Sequence, residues 1–185
     1  MRMQPELGFK VDLGLDIAAS HFCKNNTYTY KHYSDKEQAK ALPREGHIGY
    51  INHLIEEYGL SYVEDPLVET DPTDFADIKN TLVCGDDLIC TNLDLLKKYE
   101  KNIQAIIIKP NQIGSVTSAK KLVDYCQKNN ITPVLSHRSG ETMDDMIAHL
   151  AVAWNVPYIK LGIHGKEHLA KIKTLESIEK ELGKQ

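Results

Sequence analysis

The chain has 185 residues, 42% hydrophobic and 26% charged, with 11 glycines and 7 prolines. At about one ~150-residue unit, this describes a single folded domain spanning 1–185 and excludes disordered, collagen-like and low-complexity classes. No apolar run approaches the ~18 residues of a membrane helix, and the opening MRMQPELGFKVD has no apolar leader, so a cytoplasmic protein without a membrane partner is expected.

The 26 acidic and 22 basic residues leave a formal charge of -4. They are mixed even in the Lys-rich tail, so no phosphate-binding stripe for nucleic acid is visible. Cys23, Cys84, Cys90 and Cys126 show no CxxC spacing and are read as reduced thiols.

Short aliphatic runs, each followed by a polar loop and a segment of helical period, recur along the chain, the pattern of consecutive βα units around a parallel sheet. The strands are expected at 11–17, 60–66, 81–87, 104–110, 132–138 and 156–162, and the helices at 47–59, 73–78, 92–101, 116–130, 142–154 and 167–182. Thr91-Asn92 caps the third of these helices, and Ser115 with Ser118 opens the fourth. The stretch CKNNTYTYKHY, 23–33, reads as a small hairpin inserted after the first strand.

The interior strands of a parallel sheet are continuous hydrocarbon, yet each of these runs ends on a charged or hydrogen-bonding residue. In chain order the ends are Asp16, Glu64 with Asp65, Asp86 with Asp87, Lys109, His137 with Arg138, and Lys160. The carboxyl ends of parallel strands are where ligands bind, in the crevice of an open sheet or at the top of a barrel. Three acids on three consecutive strands therefore face bases from the next three.

Three converging carboxylates repel one another unless a cation sits between them, so Asp16, Glu64 and Asp86 are candidate ligands of a hard divalent ion, Mg²⁺ by preference. Strand alternation turns Asp65 and Asp87 toward the opposite face, where a loop amide or a basic side chain is the expected partner. A lysine beside a second lysine and a metal favours its neutral amine, which makes Lys109 the candidate base for removing a proton next to a carboxylate. Lys160, Arg138 and the Ser139 hydroxyl would bind the anionic groups of the substrate.

The segments GLDIAAS, YVEDP, CGDDLICTN, IIIKPNQIGSVTSA, LSHRSGETMDDMIAHLAVA and YIKLG together resemble enolase, the archaeal form in particular. The resemblance implies an α/β fold, an incomplete TIM-type barrel of six consecutive βα units, and a Mg²⁺-dependent lyase that dehydrates 2-phosphoglycerate to phosphoenolpyruvate in glycolysis and gluconeogenesis. It implies Asp16, Glu64 and Asp86 as metal ligands, Lys109 as base, His137 as a substrate-side histidine, Arg138 and Ser139 as phosphate contacts and Lys160 as the carboxylate-binding lysine.

The resemblance leaves the amino-terminal enolase domain, the acid-side glutamates and a mobile-loop serine unmatched. A complementary enolase fragment or a second copy of the chain is therefore an expected partner beside the small phosphorylated acid. The alternative is a non-catalytic remnant that binds Mg²⁺ and a phosphorylated acid, or an interaction module. Two local departures stand out: His21 replaces the usual glutamate, and KLGIHGKEHLAK lacks the usual loop pattern after the lysine. The string from His164 to His168 spells H-x-x-E-H, but Gly162 and Gly165 put His164 in a turn, outside the continuous helix a zinc-peptidase motif needs.

Overall fold

The computed structural model describes residues 8–30, 41–70 and 72–183. The chain falls into two compact units, Met1–Leu88 with Lys101–Ile103, and Ile89–Glu100 with Gln104–Gln185. Each contains three parallel strands, and together they carry the six strands expected from the sequence, every one shorter than its apolar run because the polar ends leave the ladder.

The first unit opens with β1 (Leu13–Asp16), which pairs in parallel with β5 (Leu60–Glu64), and β5 pairs in parallel with β6 (Leu82–Gly85). After a 3-10 turn at Ala19–His21 come β2 (Cys23–Lys24) and β3 (Thr27–Tyr28), the expected hairpin. Its turn, Asn25-Asn26, has φ of 51° and 59°, the left-handed region that asparagine tolerates best among residues with a Cβ. A third strand, β4 (Leu42–Pro43), pairs with β3 and was not foreseen, because a two-residue strand has no periodicity to read. Residues 31–33 of the expected hairpin lie outside the described residues.

Helix α1 (Arg44–Tyr58) follows and buries Ile51 and Ile55. Its His47 stacks on Tyr28 with centroids 3.8 Å apart, and Nε2 is 2.9 Å from the Pro66 carbonyl, tying the turn after β5 to the helix. Arg44, itself buried, pairs with Asp74 in the 3-10 turn Pro72–Asp77, where a short α-helix was expected.

The second unit runs α2 (Leu93–Tyr99), β7 (Ala105–Ile108), α3 (Pro110–Ile113), α4 (Val116–Lys128), β8 (Thr132–Ser136), α5 (Met146–Ala153), β9 (Tyr158–Lys160) and α6 (Lys166–Leu182). All four residues of β7, Ala-Ile-Ile-Ile, are fully buried, as expected of a strand covered on both faces. Helix α4 buries Ala119, Leu122, Val123 and Cys126, the i, i+3, i+4, i+7 stripe of an amphipathic helix. Asn92 accepts the amides of Asp94 and Leu95, and Ser115 that of Ser118, so both expected caps are present. The one-turn α3 was missed; Pro110 at its first position suits the N-terminus of a helix. Helix α6 starts at Lys166, which leaves His164 outside it and removes the geometry of an H-x-x-E-H motif.

Among the described residues no helix is long and apolar enough to cross a membrane. Cys23, Cys84, Cys90 and Cys126 are all free thiols, as expected.

Candidate functional site

In the first unit the acids sit where three parallel strands end. Asp16 and Glu64 are register partners on β1 and β5, and Glu64 is in turn opposite Cys84 on β6, two residues before Asp86. Their surroundings differ: Asp16 is exposed, Asp86 half-buried and Glu64 wholly buried. A buried carboxylate needs compensating partners, and one is the Tyr62 hydroxyl, which donates to Glu64 Oε2 at 2.6 Å.

Asp65 follows with φ of 41°, a left-handed conformation that aspartate tolerates better than most residues with a Cβ, and it turns the chain out of β5. Its two carboxylate oxygens accept the backbone N–H groups of Asp86 at 2.9 Å and Asp87 at 2.8 Å. The loop-amide partner expected for Asp65 is thus present, and it comes from the loop that carries Asp86. Burial raises the Asp65 pKa to about 7 despite the opposing pull of the two amides, with the charges of Asp86 and Asp87 adding to the rise.

One carboxylate oxygen from each of Asp65, Asp86 and Asp87 lies within 4.8 Å of the others, an acidic group that shares Asp86 with the expected ligand set and adds its loop neighbours. Both oxygens of Asp65 already accept amides, so its evident work is to fix the loop. The donors offered by Asp16, Glu64 and Asp86 are all hard carboxylate oxygens from three adjacent strand ends, a set that fits a divalent cation such as Mg²⁺.

In the second unit Lys109 follows the last residue of β7 and is the N-cap residue of α3. Its backbone N–H donates to Thr91 Oγ1 at 3.0 Å, while that hydroxyl donates to Gln112 Oε1 at 2.7 Å and the Gln112 N–H returns to the Lys109 carbonyl at 2.9 Å. This closed ring around buried Thr91 sets the direction in which Lys109 leaves the strand. Lys160 ends β9 as the register partner of Ser136, and its carbonyl accepts the His137 N–H at 3.3 Å. Strand β8 thus aligns His137 with Lys160.

The His137 ring meets His168 of α6 edge-on, with centroids 4.8 Å apart, and both Nδ1 atoms are buried without a hydrogen-bond partner. Burial, then the His168 charge, with smaller pushes from Lys160 and Lys171, hold the His137 pKa below its usual value against the pull of Glu141. Arg138 and Ser139 stand exposed in the loop after β8. That loop is clipped at both ends: Glu141 Oε1 accepts the Arg138 N–H at 2.9 Å, and Glu141 Oε2 lies 2.6 Å from Lys171 Nζ. Lys171 also donates to the carbonyls of Thr142 at 2.7 Å and Glu167 at 3.0 Å.

A cleft of about 470 Å³ opens beside this loop, between Pro110, Ser115, His137, Glu141, Ile147 and Lys171. It takes in His137 but is not lined by Lys109, Arg138, Ser139 or Lys160, so the basic residues expected to hold substrate lie next to the cleft and not in its wall.

The sequence does not place Tyr62, Glu141 or Lys171 at the site, and it offers Thr91 only as a cap residue and His168 only within the H-x-x-E-H string. Glu141 alone had a local signal, three residues after Arg138 in the SHRSGET run; the others act across strands or from a distant helix.

The strand order, the polar strand ends and the loop after β8 place the chain in a known class of α/β proteins. Residues 5–185 match the family described as Enolase, C-terminal TIM barrel domain. The chain is similar to the enolase of Natronomonas pharaonis, 42% identical over 184 residues, which cover 96% of this chain and 44% of that protein. It is also similar to those of Methanosphaera stadtmanae, 44% identical with 96% and 44% covered, and Archaeoglobus fulgidus, 39% identical with 99% and 45% covered. The chain belongs to the enolase C-terminal TIM barrel family. It spans about 44% of the length of these curated relatives.

Proposed function

We propose that this chain is the carboxyl-terminal part of an enolase-type lyase and takes part in the Mg²⁺-dependent dehydration of 2-phosphoglycerate to phosphoenolpyruvate, in the cytoplasm, in glycolysis and gluconeogenesis. The observation that carries this reading is the order of polar residues on the ends of six strands, three acids then three bases, within a chain that matches this family along nearly its whole length.

In this reading Asp16, Glu64 and Asp86 hold the ion, which when bound supplies the positive charge that steadies the substrate carboxylate as the neighbouring carbon loses its proton. The Lys109 amine takes that proton, with its backbone fixed by the Thr91 and Gln112 ring. Arg138 and Ser139 bind the phosphate, Lys160 the carboxylate, and His137 lines the substrate side. The hydroxyl leaves as water once it receives a proton. The acid for that step comes from a further polypeptide segment, of the same protein, of a complementary enolase fragment or of a second copy.

A second reading, a module that binds Mg²⁺ and a phosphorylated acid without turnover, is favoured by the cleft whose wall lacks Lys109, Arg138, Ser139 and Lys160. Phosphoenolpyruvate formation from 2-phosphoglycerate and Mg²⁺, followed by absorbance with the chain alone and with an enolase amino-terminal fragment, separates the two. Turnover that Lys109→Ala abolishes while leaving metal binding intact supports the lyase. No turnover in either sample, with Mg²⁺ binding retained in the parent and weakened by Asp86→Asn, supports the binding module. Full activity in the Lys109 variant removes the base assignment.

A further inference from the structure

We propose that Tyr62 is the positioning residue for Glu64, its hydroxyl fixing the carboxylate in the orientation that receives the divalent cation. The inference rests on the reading of Glu64 as a metal ligand. Tyr62 and Glu64 are two residues apart on β5, so their side chains share a face of the strand. The O–H···O distance of 2.6 Å lies in the ~2.5–2.7 Å range of a hydroxyl donating to an ionised carboxylate. Glu64 is 0% exposed, so water does not supply this hydrogen bond in place of the phenol.

The neighbouring strand holds the ring. Gly14 on β1 is the register partner of Tyr62, and a Cβ added there would lie 3.2 Å from both Tyr62 Cβ and Cδ1. The glycine therefore leaves the room in which the ring lies against β1. On the other side Cys84, buried on β6, lies opposite Glu64. Strands β1 and β5 thus set one phenol, and the phenol sets one carboxylate. A free glutamate side chain loses rotamer entropy on being fixed, and here the fold imposes that cost before the ion arrives. Outer partners of metal ligands change metal affinity by ~10–100-fold when removed.

The test is calorimetric titration of the full 185-residue chain with Mg²⁺ alone, with thermal unfolding of each variant measured in parallel. Tyr62→Phe keeps the ring and removes one oxygen. It is expected to weaken Mg²⁺ binding ~10–100-fold with the metal-free unfolding midpoint nearly unchanged. Gly14→Ala presses on the ring without removing the hydroxyl and is expected to weaken binding in the same direction; it decides the matter if Tyr62→Phe fails to fold. Glu64→Gln is the control for the reading beneath. If Glu64→Gln abolishes binding while Tyr62→Phe, or Gly14→Ala in its place, keeps parental affinity, the role of Tyr62 is overturned and the metal site stands. If the parent chain binds no Mg²⁺, or Glu64→Gln binds as well as the parent, the ligand reading fails and the inference goes with it.

Discussion

Lys171 and Glu141, thirty residues apart, form an ion pair of 2.6 Å with side chains only 1% and 14% exposed. Removing one partner of such a pair strands the other charge in the interior, at about 3–5 kcal/mol. Lys171→Met is expected to destabilise the chain by about that much in urea unfolding, because it also leaves the Thr142 carbonyl without its donor. Glu141→Gln keeps an acceptor for the Arg138 amide and is expected to cost less.

The same two residues shape the response to acid. Burial works to raise the Glu141 pKa, but the Arg138 amide and Lys171 together hold it below the ordinary value of 4.5. The stability it contributes is present above the unfolded value and is lost as pH falls through the lower folded one. His137, lowered from 6.5, adds an earlier loss: below that pH the unfolded chain takes up a proton that the folded chain resists. His137→Gln is therefore expected to lose less stability than the parent as pH falls from near 6.5, where His47, also held low by burial, adds to the loss and Asp65, raised to about 7, opposes it, and both chains lose more below 4.5. Identical profiles of the urea midpoint for the parent and His137→Gln between neutrality and pH 5 would contradict the His137 assignment.

Thr91 is 2% exposed, and its hydroxyl serves Lys109 and Gln112 at once. Thr91→Val removes the acceptor of the half-buried Lys109 amide and is expected to cost about 1 kcal/mol, the exposed Gln112 oxygen turning to water instead. Thr91→Ser keeps the oxygen and is expected to lose less. Equal denaturation midpoints for the two variants would show that the ring does not hold Lys109.

Gly162 follows β9 at the point where His168 folds back. A Cβ there would lie 2.8 Å from His168 Cγ, an atom bonded to Cβ and unable to swing clear without moving the ring off His137. Gly162→Ala is expected to destabilise by about 1–3 kcal/mol, the cost of overpacking. It is also expected to move the His137 imidazole resonances in an NMR spectrum, and unchanged resonances would mean that the two rings do not depend on each other.

Much of the architecture was legible along the chain. An all-aliphatic run such as Ala105–Ile108 announces a strand buried on both faces, and Asn92 and Ser115 announce helix starts, because each signal lies within a few residues. The extra strand Leu42–Pro43 and the one-turn helix Pro110–Ile113 escaped notice, being shorter than any period that could mark them. Asp65 was read as turning to a loop amide, but that the loop is the one bearing Asp86 follows from the pairing of β5 with β6.

The sequence by itself determined the succession of strands and helices and which residue types close each strand, since alternation, capping and aliphatic runs are local properties of the chain. Only the tertiary structure decided that Glu64 is buried against Tyr62 while Asp16 stands exposed, that Lys171 clips the loop carrying Arg138 and Ser139, and that His168 lies against His137. Those relations depend on register and packing between segments far apart in the chain. The free energy of a buried charge or an unpaired imidazole is set by its neighbours in space, which residue order does not specify.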